Sequence, residues 1–165
     1  MTHLKTLAAA TLAATLLGSA AQAADIERLY GPSAMSPIAA AVAVPPGYTT
    51  YYISGALPKP VTPPTDGQPA NFGDTAAQTR SVLDQLKETM AKMGIGFGDV
   101  VAAHVFLSQT ADFMAMNKVW AQEFGTATQP NKPARAAFRT HALVLPGVDL
   151  EIEFIAAKKP GKTKK

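Results

Sequence analysis

The end of the chain carries the pattern that most restricts its fold. From Val148 to Phe154, apolar residues alternate strictly with Asp149, Glu151 and Glu153. Successive side chains of a β-strand point to opposite faces of the sheet, so this pattern predicts a strand, from Val148 to Ala156, with one apolar face and one acidic face. The acidic face cannot lie in a core, which means that the sheet is covered on one side only.

A second strand is predicted just before it, from Ala134 to Thr140. Alternation here places Phe138 on one face and both Arg135 and Arg139 on the other. We expect the apolar faces of both strands to lie under helices. The helix-free face is then expected to carry arginine as well as glutamate, and such a face is either an ordinary solvated surface or a contact with another subunit.

The rest of the chain supplies two helices and two further strands. A strand at 49–54 ends at Gly55, and a proline-rich loop follows from 57 to 73. Asp74 is a candidate N-cap for an amphipathic helix that Gly94 ends, a strand runs from 99 to 108, and a second helix runs from 111 to 124. The order β-α-β-α-β-β predicts an α+β fold, in which two helices pack on one face of a mixed sheet.

The amino terminus resembles an export signal. Lys5 precedes an uncharged apolar run at 6–20, which is too short to cross a bilayer, and Ala21-Gln22-Ala23 suits signal peptidase. We therefore predict a signal peptide at 1–23, a single domain at 24–157, and a secreted or periplasmic product without a stable membrane anchor after cleavage.

Charge and composition exclude several classes of site. Five of the 15 basic residues lie in the predicted flexible tail, 158–165, and without these and Lys5 the body has nine basic and 12 acidic residues. This balance disfavours nucleic-acid binding. The chain has no cysteine and no histidine pair at ligand spacing, so no metal is expected, and His104, His141 and Trp120 are interpreted as structural.

Several fragments together resemble one known family. Pro133-Ala134-Arg135-Ala136-Ala137-Phe138 is similar to P-A-R-S-x-V, and Leu145 to Glu153 is similar to L-P-x-x-x-x-E-I-E. Ile53-Ser54-Gly55-Ala56-Leu57-Pro58, Gln78-Thr79, Gly98-Asp99-Val100-Val101 and Asp112-Phe113 with Asn117 occur in the matching order. The chain thus resembles the Rid (YjgF) family of enamine/imine deaminases, also labelled endoribonuclease L-PSP, from about Ser36 to Lys158.

The resemblance implies a fold, an assembly and a site. It implies a chorismate-mutase-like sheet with two helices, a homotrimer with clefts between subunits, and hydrolysis of 2-enamine or 2-imine acids to 2-oxo acids and ammonia, as by a 2-iminobutanoate/2-iminopropanoate deaminase, without a cofactor. Arg135 would bind the substrate carboxylate, and Glu151 would position or activate water. Ser54 and Gly55 would line the substrate pocket, with Asn117 as a further neighbour.

Two departures from the family pattern keep a second function open. Ile38 stands where the family has a pocket tyrosine if Ser36 to Val42 corresponds to G-P-Y-S-x-A-V, although Tyr30-Gly31-Pro32-Ser33 offers another register, and Ala137 replaces a frequent cysteine. The alternative to a deaminase is a non-catalytic binding protein for small carboxylates in the periplasm. Ribonuclease activity is disfavoured, because the body is acidic and lacks aromatic residues interleaved with basic ones.

Overall fold

The computed structural model describes residues 25–33 and 36–161. The predicted signal peptide at 1–23 and the last four residues of the predicted tail lie outside these ranges. Lys158, which we assigned to the tail, is the last residue of a strand, and its Nζ donates to the carbonyl of Gly94 at 2.6 Å.

Six strands and two α-helices make up the described part of the chain. In order these are β1 Glu27–Tyr30, β2 Ala39–Ala43, β3 Thr49–Ala56, α1 Thr75–Lys92, a 3₁₀ turn Phe97–Asp99, β4 Val100–Leu107, α2 Phe113–Trp120, β5 Ala134–Arg139 and β6 Leu150–Lys158. The sheet order is β1-β2-β5-β4-β6-β3. None of the helices in 25–33 and 36–161 has the length and hydropathy to cross a membrane.

The sheet is mixed, and its strands are unequally joined. β5 runs parallel to β4 over six residue pairs, whereas β4 and β3 both run antiparallel to β6. β2 joins β5 through a single ladder pair, Ala39 with Ala134, and carries β1 with it as an antiparallel hairpin. The outer hairpin is therefore attached to the rest of the sheet by very few backbone hydrogen bonds.

Both helices pack on one face of the sheet, which confirms the predicted α+β fold. The Asp74 side chain accepts from the amide of Ala77 at the start of α1, and Gly94 follows the helix with a φ of +69°. α2 is shorter than the predicted 111–124, because the chain leaves the α-helix at Trp120 and continues in turns to Phe124. Trp120, Phe124, Phe97 and Phe154 pack together between the helices and the sheet.

The orientation predicted for β5 is wrong. Arg135 is paired with Ala103, which lies in the core under the helices, and Ala137 packs against the same core. Phe138 lies on the helix-free face instead, 48% exposed, in edge-to-face contact with Phe106 at 5.0 Å. The helices cover the face that carries Arg135, because the register with β4 decides the orientation of a strand whose own apolar residues are mostly alanine.

Candidate functional site

The guanidinium of Arg135 is enclosed by side chains of α2. Its Nη2 donates to Oδ1 of Asn117 at 2.5 Å, and its Nη1 lies 3.8 Å from Sδ of Met116. Its Cζ lies 4.6 Å from the centroid of the Trp120 ring. Asn117 and Trp120 are three residues apart, so they project from the same side of the helix. One helix therefore fixes the position of this cation.

Arg135 has no acidic partner in the described part of the chain. The other arginines there are differently satisfied: Arg80 pairs with Glu123, while Arg28 and Arg139 donate to backbone carbonyls. Burial lowers the pKa of Arg135 to about 10, so the group remains charged at neutral pH. A desolvated cation that contacts only neutral groups, with N–H donors left over, is suited to bind an anion such as a carboxylate.

Glu151 lies on the other face of the sheet, against Gly55. β3 gains one extra residue at this point, since Ile53 pairs with Phe154 but Ala56 pairs with Ile152. A Cβ added at Gly55 would lie 2.0 Å from Oε1 of Glu151. A side chain at position 55 is therefore incompatible with this position of the carboxylate, and no group within the described residues hydrogen-bonds to the Glu151 carboxylate.

Ser54 belongs to the same group as Gly55 and Glu151. It is an exposed residue of β3, which is an edge strand, and with Gly55 it borders a groove of about 750 Å³ between β3 and α1. Gln85 and Met93 lie on the helix side of this groove. Gly55 thus places the carboxylate of Glu151 next to the backbone of β3, which forms one edge of the sheet in the described residues.

The predicted site residues form two groups that are far apart in one chain. Arg135 pairs with Ala103 and Glu151 pairs with Phe106, so they are separated by three residues along β4 and lie in the strands on either side of it. These steps amount to about 10 Å along the strands and about 10 Å across them. Since the two side chains also point to opposite faces, a ligand of a few atoms cannot contact both within one chain.

Two contacts near the predicted site residues were not predicted from the sequence, one made by Trp120 and one by His104. Trp120 was interpreted as core, and it is fully buried, but its ring also contacts Arg135. His104 Nδ1 lies 2.6 Å from Oε1 of Glu153 on the helix-free face, where both side chains are about 40% exposed. Within 25–33 and 36–161 no cluster of three or more His, Asp or Glu could hold a metal ion.

Ile38, which stands where the family pattern has its pocket tyrosine, borders a second and smaller groove. This groove, of about 440 Å³, lies where β2 separates from β5, and its other lining residues are mostly alanine. Arg135 and His104 also border it. The surface beside Arg135 is therefore largely apolar.

Known proteins resemble this chain both in sequence and in structure. Residues 32–158 match the family model described as endoribonuclease L-PSP. A 3-aminoacrylate deaminase, RutC, from Acinetobacter baylyi is 35% identical over 105 residues, which are 64% of this chain and 76% of that protein. A YjgF-family protein from Neisseria meningitidis superposes with a TM-score of 0.55 at 26% identity, covering 83% of this chain and 98% of that one.

A eukaryotic structure shows the same fold. Yeast Mmf1 superposes with a TM-score of 0.54 at 27% identity, covering 84% of this chain and all of that one. The architecture is thus shared over nearly the whole of these structures.

Proposed function

Since this chain belongs to the endoribonuclease L-PSP family, which is the Rid or YjgF family, we propose that it hydrolyses reactive 2-enamine and 2-imine acids to 2-oxo acids and ammonia. The observation that carries the proposal is the partly buried charge of Arg135, whose contacts within the described residues are all to neutral groups. The deaminase named among its relatives acts on an enamine acid, 3-aminoacrylate, which supports deamination as the class of reaction.

Arg135 would bind the carboxylate of the substrate. Its planar guanidinium can donate two parallel N–H bonds to the two oxygens of a carboxylate, which a lysine cannot do. Asn117 occupies one Nη2 hydrogen, so the remaining donors define the side from which the substrate approaches.

Glu151 would act on water. An enamine first takes up a proton on carbon to become the protonated imine, whose carbon is attacked by water. The C–O bond forms as the carboxylate accepts a proton from the water, and the C–N π bond becomes a nitrogen lone pair. The carboxylic acid then gives this proton to the nitrogen, and ammonia leaves as the C=O bond forms and the hydroxyl proton passes to solvent. A carboxylate that has no hydrogen-bond partner among residues 25–33 and 36–161 is available to hold such a water.

The site would be shared by two copies of the chain, because Arg135 and Glu151 cannot meet within one. A contact that sets the Arg135 surface of one copy against the Glu151 surface of the next joins different surfaces, and such a contact closes into a ring when the rotation between successive copies adds up to a full turn. We propose the homotrimer implied by the family resemblance, with each cleft taking Arg135 from one subunit and Ser54, Gly55 and Glu151 from its neighbour.

We also propose that the protein acts outside the cytoplasm, as a secreted or periplasmic product. Support comes only from the sequence at 1–23, and fractionation of cells that express the full chain tests it, with N-terminal sequencing of the product. A chain that remains in the cytoplasm with Met1 or Thr2 at its start would contradict this proposal.

The second candidate is a non-catalytic binding protein for small carboxylates. Ile38 favours it, because a pocket without the tyrosine hydroxyl keeps the anion site at Arg135 and loses a polar contact to the rest of the ligand. Both candidate functions require a small carboxylate to bind at Arg135, but only the deaminase converts it to product.

The experiment measures 2-oxo acid and ammonia released from imine acids that an amino-acid oxidase generates in the assay. The chain from Ala24 onward is compared with Arg135→Lys and with Arg28→Lys, which alters another partly buried arginine at a different place. We expect Arg135→Lys to lower kcat/KM by about 10- to 100-fold, from the loss of a charged hydrogen bond, with Arg28→Lys near the wild type.

Each outcome decides between the candidates. No turnover by a folded, assembled wild-type protein would reject the deaminase, and ligand binding would then support the binding protein. Turnover that survives Arg135→Lys unchanged would reject the proposed carboxylate site.

A further inference from the structure

Trp120 combines two contacts that simple core packing does not require. Its ring is fully buried and stacks on Phe124 at a centroid distance of 4.5 Å, as a core residue does. The same ring lies under the Arg135 guanidinium, with 4.6 Å between Cζ and the ring centroid. Indole is the best of the natural aromatic rings at attracting a cation over its face.

The polar edge of the indole has a specific partner. Nε1–H donates to the carbonyl of Pro37 at 3.0 Å, so the buried donor is satisfied by the backbone next to Ile38. The ring thus connects the Arg135 guanidinium with the segment at which the family pattern has its pocket tyrosine.

A neutral aromatic ring can stabilise a buried arginine and leave its N–H donors available to bind a carboxylate. Burying a cation without compensation is costly, but a carboxylate partner from the chain would occupy the donors that the ligand needs. The ring face attracts the cation through its quadrupole and leaves the N–H edges free. Arg135 has this arrangement, with neutral contacts at its face and at one edge.

We propose that Trp120 is a positioning residue: its ring holds Arg135 in the orientation that binds the substrate carboxylate, and its bond to Pro37 couples that orientation to the segment carrying Ile38. This inference rests on the proposed role of Arg135 in carboxylate binding. It goes beyond that role in assigning a function to a residue that otherwise belongs to the core.

The fluorescence of tryptophan can report directly on ligand binding in this chain. Trp120 is the only tryptophan in the sequence, so intrinsic indole fluorescence reports on this ring alone. We use 2-hydroxybutanoate as an optically clear, non-reacting probe, and 2-oxobutanoate in calorimetry as the product-like ligand. Binding at Arg135 is expected to change the intensity and wavelength of the emission, and Arg135→Lys is expected to abolish this change.

Three variants separate positioning from packing. Trp120→Leu keeps an apolar side chain and removes the ring face, Trp120→Phe keeps a ring and removes the bond to Pro37, and Phe124→Leu removes a stacked core ring that is not the one under Arg135. We expect Trp120→Leu to weaken 2-oxobutanoate binding by about 30-fold and Trp120→Phe by a few-fold, as the loss of a desolvated cation–π contact implies. Phe124→Leu should lose comparable stability in denaturation and keep its affinity.

The kinetic signature is a rise in KM with kcat changed little at saturating substrate, since the water-activating group is elsewhere. Wild-type affinity in Trp120→Leu, or an equal loss in Phe124→Leu, would overturn the inference. If Trp120→Leu does not fold, the wild-type fluorescence decides: unchanged Trp120 emission when 2-hydroxybutanoate binds would overturn the positioning role, and wild-type affinity in Trp120→Phe would remove the coupling to Pro37. Failure of the proposed function looks different: ligand binding is then insensitive to Arg135→Lys, or binding persists without any turnover.

Discussion

Arg135 and Glu151 lie on opposite faces of the same sheet, in the two strands that flank β4. Arg135 is under the helices against Trp120, and Glu151 is on the uncovered side against Gly55. If one small substrate contacts both, the residues come from different chains, and this arrangement makes several expectations testable.

Inactive variants should complement each other. Arg135→Ala and Glu151→Gln are each expected to be inactive alone, but co-expression at equal levels produces clefts that combine an intact Arg135 with an intact Glu151. Random assembly into a ring makes about a quarter of the clefts intact, so about a quarter of the wild-type activity should return. Co-expression of two Arg135 variants is the control, and no recovery with the mixed pair would place the site within one chain.

Glu151→Gln should separate turnover from binding. Removal of a group that takes up a proton in the transition state is expected to lower kcat about 100-fold or more, while the Kd for 2-oxobutanoate changes little. Glu153→Gln is the matched control, because Glu153 lies two residues further along the same face and contacts His104. If kcat fell equally in the two variants, the loss would come from a general change on the helix-free face and not from Glu151 itself.

Gly55→Ala should displace the Glu151 carboxylate. The new methyl group would overlap Oε1 at 2.0 Å, so the side chain must move away from its position at the bulge. We expect kcat to fall by about 10-fold or more, as when catalytic groups are misplaced by an ångström, while binding at Arg135 is kept. Gly98→Ala is the control, because the nearest atom to its added Cβ is 3.7 Å away, and wild-type kcat in Gly55→Ala would show that the carboxylate position is unimportant.

Gln78 should contribute strongly to stability without affecting the reaction. It is buried in α1, where Nε2 donates to the carbonyls of Gly73 and Gly147 and Oε1 accepts from the amide of Asp149. Gln78→Leu removes three hydrogen bonds that join α1 to the loops beside it, so we expect the free energy of unfolding to fall by about 3 kcal/mol. Chemical denaturation measures it, with the less buried Gln85→Leu as the comparison, and equal small losses would argue against this role.

The sequence predicts those elements whose apolar residues are periodic. β6 alternates perfectly, and α1 has a cap at Asp74 and a stop at Gly94, so both were predicted with bounds close to those observed. β2 was missed because Ala-Ala-Ala-Val-Ala has neither alternation nor contrast between faces, and β1 was missed because it has only four residues. The same lack of contrast in β5 led to the wrong face for Arg135, which its pairing with β4 determines.

For the candidate site, the residue types could be predicted but not their grouping. Similarity to a family predicts roles for Arg135, Glu151, Ser54, Gly55 and Asn117 one by one. That Asn117 binds Arg135 depends on how α2 crosses β5, and that Glu151 lies on Gly55 depends on a bulge, both of which are contacts between distant segments. Trp120 packs in the core and also contacts Arg135, and its hydrophobicity predicts only the core packing.

The single ladder pair between β2 and β5 has a kinetic consequence. Besides this pair, Arg28 of β1 donates to the carbonyls of Lys132 and Gly98. With so few bonds to the central strands, the hairpin is expected to open before β4, β5 and β6 do, and its amides are expected to exchange with solvent faster than theirs. Pro37 is just before this hairpin and is bonded to Trp120, which contacts Arg135. An anion bound at Arg135 is therefore expected to favour the attached state of the hairpin, so that ligand concentration controls how often this edge of the sheet opens.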